Sequence, residues 1–169
     1  MDDVTRVRLR TLLWGLLVLP LGLVILPGWM HRRFEAPSAW EATLWQWLGV
    51  WLLLNGLGLG GWCVRLFNVQ GRGTPLPLDP PTRFVAVGPY RIVRNPMALG
   101  AFLFLAGEAL CLQSRAVGWY LLGFMTLMHL FVVLVEEPQL IKRFGEPYAA
   151  YRTQVPRWIP RPGCRQCHC

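Results

Sequence analysis

The amino-acid sequence predicts an all-α integral membrane protein with about four transmembrane helices. Hydrophobic residues make up 54% of its 169 residues and charged residues only 15%, whereas an average soluble domain has about 25% charged residues. Four stretches are long and nearly free of charge, at residues 11–29, 44–64, 97–112 and 116–135. A helix needs about 20 apolar residues to cross a bilayer core. The third stretch is slightly short for this and contains Glu108.

The first stretch follows three arginines and superficially resembles a secretory signal peptide. It is longer than the apolar part of such a signal, which has about 7–15 residues, and no small-residue cleavage motif follows it. We therefore interpret it as a membrane helix. Pro20 and Pro27 would kink or end this helix, which is tolerated in membranes when neighbouring helices satisfy the freed backbone groups.

The second stretch begins with a tryptophan cluster and contains a patch of small residues. Trp40, Trp45 and Trp47 are typical of a helix end at the membrane interface. Gly56 and Gly60 form a G-x-x-x-G pair, which allows two helices to approach closely. We interpret the pair as a helix-packing surface, and it would also permit a homodimer.

The distribution of basic residues predicts the orientation in the membrane. With four spans, the N-terminus, the loop at residues 65–96 and the C-terminal tail share one side. All but three of the 17 Lys and Arg residues lie there, and the other side holds Arg32, Arg33 and Arg115. Positive residues accumulate on the cytoplasmic side, so both termini and the long loop are predicted to be cytoplasmic. The net charge of +8 then reflects topology and contact with anionic lipid, and no nucleic-acid binding is predicted.

The start of the third helix is a candidate anion site. A proline-rich loop at residues 70–81, through which no helix can run, leads to the run G-P-Y-R-I-V-R-N-P-M at residues 88–97. Pro96 suits the first turn of a helix, and Asn95 is well placed to cap it. The free amides of such a helix start, together with the positive end of its dipole, favour an anionic group.

The fourth apolar stretch ends in two adjacent acids, Glu136 and Glu137. Acids at the C-terminal end of a helix oppose its dipole, so something cationic should compensate them. Either an arginine, Arg91 or Arg94, or a cationic ligand would do so.

The segment after the acid pair is predicted to lie on the membrane surface. Residues 139–153 have the pattern of an amphipathic helix, broken at residues 145–147 by Gly-Glu-Pro. Apolar side chains on one face and basic side chains beside them are typical of a helix in the interface plane. No regular structure is expected for residues 155–160.

Two runs of the sequence carry a resemblance to a known family. The run at residues 88–97 and the run E-E-P-Q-L-I-K-R-F-G-E-P-Y-A-A-Y-R-T-Q-V-P-R-W-I-P at residues 136–160 resemble the isoprenylcysteine carboxyl methyltransferase and phospholipid methyltransferase group of membrane enzymes. That group combines a G-x-Y-x-x-x-R-[HN]-P motif, a helical hairpin, an E-E pair, F-G-x-x-Y-x-x-Y and V-P-x-x-x-P. The match covers about residues 71–160. It implies methyl transfer from S-adenosylmethionine to a lipophilic or amphiphilic acceptor at the cytoplasmic membrane face.

The resemblance also implies site residues. Its cofactor contacts comprise a short strand at residues 82–85, a tyrosine, an Arg-Asn-Pro element and the second acid, and they fall on Val85, Tyr90, Arg94, Asn95, Pro96, Met97 and Glu137. Glu136 would face the acceptor as the catalytic residue. No metal is implied.

Two positions depart from the family pattern. Relatives that methylate prenylated cysteine have an arginine one turn before the acid pair, where this chain has Val132, and Ala98 replaces a common aromatic residue. These differences put a prenylcysteine carboxyl acceptor in doubt and leave the acceptor atom open. Glu108 and His129 are polar residues on neighbouring membrane helices. They would either pair with each other or contact the substrate.

The predicted organisation has three parts: a two-helix membrane hairpin at residues 1–68, a methyltransferase-like core at 69–160 and a Cys-rich tail at 161–169. The tail contains a C-x-x-C-H sequence, formed by Cys164, Cys167 and His168. Covalent haem and tetrahedral zinc are the alternatives to a tail with no bound group, which is the default. The rival function is a non-catalytic membrane scaffold, which would bind no cofactor.

Overall fold

The computed structural model describes residues 20–35, 41–67, 69 and 86–160. Helices account for 83% of these residues, and no strand occurs among them. The all-helical prediction is therefore confirmed for the described part of the chain. The short strand expected at residues 82–85, most of the proline-rich loop and the Cys-rich tail lie outside it.

The first described helix begins with a π-turn. This turn, Leu21–Ile25, leads directly into α1, Leu26–Phe34. Pro27 lies in the first turn of α1 and is fully buried. Because the helix continues from the π-turn into α1, Pro27 lies inside a helix, where the wider turn before it accommodates the missing N–H. The predicted first span starts at residue 11, outside the described residues, so its full length stays a prediction.

The second helix is the most regular element. Helix α2, Leu44–Leu66, starts with a reciprocal capping box between Thr43 and Gln46, which satisfies two free amides at once. Its 23 residues are long and apolar enough to cross a membrane. Only 17% of its apolar window is buried, and Trp51 and Leu57 are each 59% exposed. An apolar helix that buries so little within the protein is suited to contact lipid.

A seam of glycines joins α2 to α3, Pro96–Cys111. A Cβ atom at Gly56 would lie 2.6 Å from the Gly100 carbonyl oxygen, and one at Gly107 would lie 2.5 Å from the Gly49 carbonyl oxygen. No side chain fits at these positions, so the two backbones touch directly. The predicted packing role of the small-residue patch is confirmed, and its partner helix is in the same chain.

Two helices, not four, meet the length and composition required of a membrane span within the described residues. They are α2 and the continuous helix Arg115–Phe144. Helix α3 has 16 residues, which gives a length of about 24 Å against the roughly 30 Å of a hydrocarbon core.

The helix Arg115–Phe144 continues through Glu136, Glu137 and Pro138, whereas the sequence predicted that the fourth apolar helix ends at the two acids. It consists of α4, Arg115–Phe131, a π-turn at Val132–Glu136 and α5, Glu137–Phe144. A proline inside a helix clashes with the carbonyl of the preceding turn. The wider π-turn before Pro138 changes the hydrogen-bond pairing of these backbone groups and so relieves the clash. Pro27 likewise is the second residue after a π-turn, as Pro138 is.

The C-terminal part folds back onto the segment around Tyr90 and Arg94 and onto α3 and α4 through Trp158. The predicted break at residues 145–147 is confirmed: Gly145, at φ +59°, separates α5 from α6, Glu146–Gln154. Tyr148, Tyr151 and Val155 are buried together with Leu140, Phe144 and Ala86 packed on them. Residues 155–160 then run without helix, as predicted. We refer to residues 155–160 as the C-terminal strap.

Candidate active site

The centre of the candidate site is an ion-pair cluster on Glu137. Its side chain is only 7% exposed. Arg94 Nη1 donates to its Oε1 atom at 2.9 Å. Arg157 donates twice, from Nε to Oε1 at 2.7 Å and from Nη2 to Oε2 at 3.0 Å. This two-pronged geometry is the strong form of a guanidinium–carboxylate pair. The expectation that an arginine compensates the acid pair is confirmed for Arg94, and Arg157 is an additional partner.

Two hydrogen bonds tie the Arg94 segment to the strap and to α6. The segment is a 3₁₀ turn, Gly88–Arg91, followed by an irregular stretch to Asn95. The Arg94 amide donates to the Pro156 carbonyl at 2.9 Å, and the Tyr151 hydroxyl donates to the Tyr90 carbonyl at 2.6 Å. Two regions some 60 residues apart in the chain are therefore held as one unit.

Tyr90 is a packing residue at the base of this unit. Its ring is 7% exposed, meets Phe67 edge-on at 5.4 Å between centroids and packs against Cys63 of α2. Burial, with a smaller contribution from the neighbouring Cys63 thiol, raises the pKa of the Tyr90 hydroxyl above its usual range. The hydroxyl is therefore neutral, and Tyr90 fixes the 3₁₀ turn against α2.

The other ionisable groups around Glu137 respond to its charge. Burial and then the Glu137 carboxylate raise the pKa of the Tyr148 hydroxyl. The hydrogen bond to Glu137 raises the pKa of the Arg157 guanidinium. Two guanidinium groups bond the Glu137 carboxylate here, next to the start of α3.

Asn95 occupies the N-cap position of α3 but does not cap it, which corrects our expectation. Its backbone angles are φ −125° and ψ 56°, and its side chain makes no capping bond. An N-cap residue normally has β-region angles, which aim the side chain at the first amides. Pro96 is in the first turn as predicted and is fully buried, and Met97 packs against the Cys63–Tyr90 cluster.

Two buried donors in this region have no hydrogen-bond partner within the described residues. They are Nε of Arg94 and Nδ2 of Asn95. A buried donor without a partner costs about 1–3 kcal/mol, and orphaned donors in adjacent residues at a helix start indicate a place for an acceptor. This is the feature that would suit a ligand carboxylate.

Glu136 differs from its neighbour. It is half-buried and makes no hydrogen bond or ion pair in the part of the chain that the structure describes. It lies close enough to Tyr90 and Tyr148 to influence both hydroxyls electrostatically. Of the two acids, Glu137 is committed to the protein and Glu136 is available.

Two residues of the strap were not anticipated as site residues. Arg157 holds Glu137, and the next residue, Trp158, donates from its indole nitrogen to Nδ1 of His129 at 3.0 Å. Trp158 also packs on Phe102 at 5.4 Å between centroids. The sequence signal was present in the V-P-R-W-I-P run, but the partners lie 20 and 29 residues away and only the fold brings them together.

The suggested pairing of Glu108 with His129 is wrong. His129 binds Trp158, and Oε2 of Glu108 is buried without a partner within the described residues. Val132, at the position where some relatives have arginine, is 1% exposed and belongs to the packed interior. Val85 and the Cys-rich tail lie outside the described residues, so their roles stay predictions.

The fold and the site together define a class: a helical protein with two helices that could cross a membrane and a buried charged cluster at the end of one of them. A model of the phospholipid methyltransferase family matches residues 44–147, more than half of the chain. The chain belongs to this family. The match includes α2, which lies outside the resemblance found in the sequence motifs. No curated protein and no solved structure matches the chain.

Proposed function

We propose that the protein transfers a methyl group from S-adenosylmethionine to a lipophilic or amphiphilic acceptor at the cytoplasmic face of a membrane. The observation that carries the proposal is the pair of orphaned buried donors, Arg94 Nε and Asn95 Nδ2. They lie beside the start of α3, in the cluster formed by Arg94, Arg157 and Glu137. Membership of the phospholipid methyltransferase family supplies the reaction class.

The residues present fit the carboxylate end of such a methyl donor. A carboxylate offers acceptors only, which is what Arg94 Nε and Asn95 Nδ2 lack. The first amides of α3 and its dipole favour the same charge. Glu137 keeps Arg94 in place, so we assign Glu137 to the binding site through Arg94 instead of through direct contact. Tyr90, Pro96 and Met97 shape the floor of the site by packing against α2.

The donor, when bound, supplies a methyl group on a positively charged sulfur. This methyl group would go to a lone pair of the acceptor, and the electron pair of the broken carbon–sulfur bond would stay on sulfur. The protein has to align the two partners, which alone supplies about 7–11 kcal/mol of a barrier. An amine acceptor loses a proton in this reaction, and Glu136 is a carboxylate without a partner that can take it.

A non-catalytic scaffold is the rival function, and one observation favours it. The Glu137 cluster is complete without a ligand, since both carboxylate oxygens are bonded. A purely structural strap would need nothing more. Cofactor binding discriminates the two functions, because a scaffold has no use for the orphaned donors.

The test is calorimetry in detergent with S-adenosylmethionine, on the wild type and on Asn95→Ala. We expect binding by the wild type and at least tenfold weaker binding by Asn95→Ala, with an unchanged melting temperature of the ligand-free protein. Asn55→Ala is the matched control, because Asn55 is an exposed asparagine of α2. No heat and no thermal stabilisation of the wild type at millimolar S-adenosylmethionine would exclude the enzyme reading and favour the scaffold.

The cytoplasmic orientation is part of the proposal and needs its own test. In intact cells, an impermeant maleimide should leave Cys164, Cys167 and Cys169 unlabelled until the membrane is opened. A variant with all three changed to serine reports the background from the other cysteines. Labelling of the tail in sealed cells would reverse the topology.

A further inference from the structure

We propose that His129 donates a hydrogen bond from Nε2 to an oxyanion of the lipid acceptor, and that Trp158 is the positioning residue that holds it in that state. The proposal rests on the proposed function and names the chemistry by which the same site recognises its acceptor. The ligand class is a lipid whose head group carries a phosphate or carboxylate oxygen.

The first step concerns which nitrogen of the neutral His129 ring carries the proton. An indole nitrogen is a donor only, so Nδ1 of His129, 3.0 Å from Trp158 Nε1, must present its lone pair. In a neutral imidazole the proton then lies on Nε2. The contact therefore makes Nε2 a hydrogen-bond donor and excludes it as a proton acceptor in this state.

The second step is availability. The His129 side chain is exposed, and no described residue bonds its Nε2 atom. The residue lies close to the C-terminal end of α4, on a helix suited to span a membrane. A polar group on such a helix is costly unless it has a use, and an exposed donor there faces lipid, not another helix.

The third step is proximity to the site. Trp158 and Arg157 are consecutive residues, with Cα atoms about 3.8 Å apart. One holds His129 and the other holds Glu137. His129 and Glu136 lie on the same continuous helix, about 10 Å apart along its axis, which is a separation that one lipid head group can span. A head-group oxyanion on Nε2 would leave the acceptor atom of the same molecule free to approach Glu136.

Two observations show that the Trp158 ring, which bonds His129, is held in one position. The Trp158 ring packs between His129 and Phe102. Its centroid lies 6.1 Å from that of the His129 ring and 5.4 Å from that of the Phe102 ring. Phe102 in turn meets Phe124 of α4 edge-on at 6.1 Å. A donor on a rigid support loses little entropy when it binds a ligand, which is what a recognition residue requires.

The binding test uses native mass spectrometry of the detergent-solubilised protein with three lipids of matched chains: dioleoylphosphatidylethanolamine, oleate and dioleoylglycerol. In the wild type we expect the phosphate lipid or the carboxylate lipid to bind more tightly than uncharged dioleoylglycerol. His129→Phe should lose at least tenfold in affinity for that lipid only, and His129→Gln, which keeps an N–H donor, should lose less. Comparison of the phosphatidylethanolamine and oleate arms identifies which oxyanion is recognised.

Thr126→Val is the matched control, since Thr126 is an exposed polar residue of the same helix. Its hydroxyl donates to the Leu122 carbonyl. Equal affinities of His129→Phe and wild type for all three lipids would overturn the proposal. Calorimetry with S-adenosylmethionine on the same variants separates this outcome from failure of the proposed function. Neither histidine variant should change the affinity for S-adenosylmethionine.

The positioning role of Trp158 has a spectroscopic test. The nitrogen-15 spectrum of histidine-labelled protein distinguishes the two neutral tautomers, and His129→Phe identifies the signals among the three histidines. We expect the wild type to show a proton on Nε2. Trp158→Phe keeps a ring against Phe102 but has no N–H, so it should yield a mixture of tautomers and weaker oxyanion-lipid binding. An unchanged tautomer in Trp158→Phe would refute the positioning role.

Discussion

The two ends of the α3–α4 hairpin each carry a carboxylate that joins distant parts of the chain, and they differ in what is left unsatisfied. At the connection between α3 and α4, Glu35 accepts from the backbone amides of Arg115 and Ala116 at 2.8 and 3.1 Å. It caps a helix start from another helix. At the opposite end, Glu137 accepts from Arg94 and Arg157.

The Glu35 end is closed. The Ser114 hydroxyl caps the same helix start at Val117, and His31 binds the second oxygen of Glu35. At the Glu137 end, by contrast, two buried donors have no partner within the described residues and Glu136 is unpaired. Glu35, with both oxygens bonded to the protein, stabilises the fold, whereas the orphaned donors of Arg94 and Asn95 beside Glu137 mark a place for a ligand.

The largest expected effect is that of Glu137→Gln. The change leaves two guanidinium groups without their carboxylate, and removing one partner of a buried pair costs about 3–5 kcal/mol. Arg157 is 28% exposed and can turn to water, so we expect about 3 kcal/mol. Unfolding in mixed detergent and denaturant would measure it, together with S-adenosylmethionine binding, which should be lost. A stable Glu137→Gln variant would mean that the cluster does not hold the strap.

Glu136→Gln should separate activity from stability. Glu136 is half-buried and has no partner among the described residues, which disfavours its charged form, so the melting temperature should be unchanged or slightly higher. One lost electrostatic contact in a transition state costs about 2.7–4 kcal/mol, so the methylation rate should fall by a factor of tens or more. Initial rates with dioleoylphosphatidylethanolamine and melting curves form the paired measurement. An unchanged rate with a lower melting temperature would place Glu136 with Glu137 as a structural acid.

The glycine seam connects the two ends and should respond differently at each. A Cβ at Gly107 meets the Gly49 carbonyl at 2.5 Å, and one at Gly100 meets the Gly56 carbonyl at 3.0 Å. Over-packing costs about 1–3 kcal/mol, so both alanine variants should be less stable. Only Gly100→Ala, one turn beyond Pro96, should also weaken S-adenosylmethionine binding, because it displaces the start of α3.

The control for the seam is Gly58→Ala. Nothing lies within 4 Å of a Cβ there, so the exchange should be neutral or should stabilise the helix by up to about 1 kcal/mol. An equal loss of S-adenosylmethionine affinity in Gly100→Ala and Gly107→Ala would show that the seam moves as one rigid body. The distance of the glycine from the start of α3 would then have no effect on binding.

The sequence predicted what local patterns determine. Long apolar runs predicted α2 closely, Gly145 predicted the break before α6, and the dipole argument predicted a cation on the acid pair. These three features follow, in turn, from the run of apolar residues, from the turn preference of glycine and from the charges near predicted helix ends.

The sequence did not predict what depends on long-range contacts. The Arg157 and Trp158 partners are set by where the strap docks. The π-turn before Pro138 depends on how neighbouring helices support a bent backbone, so a break was the natural expectation. Asn95 failed as a cap because its backbone angles are imposed by the link between Arg94 and Pro156. In each case tertiary structure overrides a local preference.

The smallest expected effect belongs to the closed end and depends on pH. Hydrogen bonds, above all from the Ser114 hydroxyl and then from the Ala116 amide, His31 and the Arg115 amide, lower the pKa of Glu35 from 4.5 to about 2. Because the folded pKa is the lower one, the carboxylate stabilises the fold above pH 4.5 and this contribution is lost as the pH falls toward 2.

Glu35→Gln should therefore cost roughly 1 kcal/mol at neutral pH, as for other helix caps. The difference in melting temperature between variant and wild type should shrink as the pH falls from about 5 to about 2, because Glu35 is protonated in the unfolded wild type at a higher pH than in the folded protein. S-adenosylmethionine affinity should be the same in both proteins. A constant difference at all pH values would show that Glu35 acts by shape and not by charge. A change in donor affinity would show instead that the two ends of the hairpin are coupled.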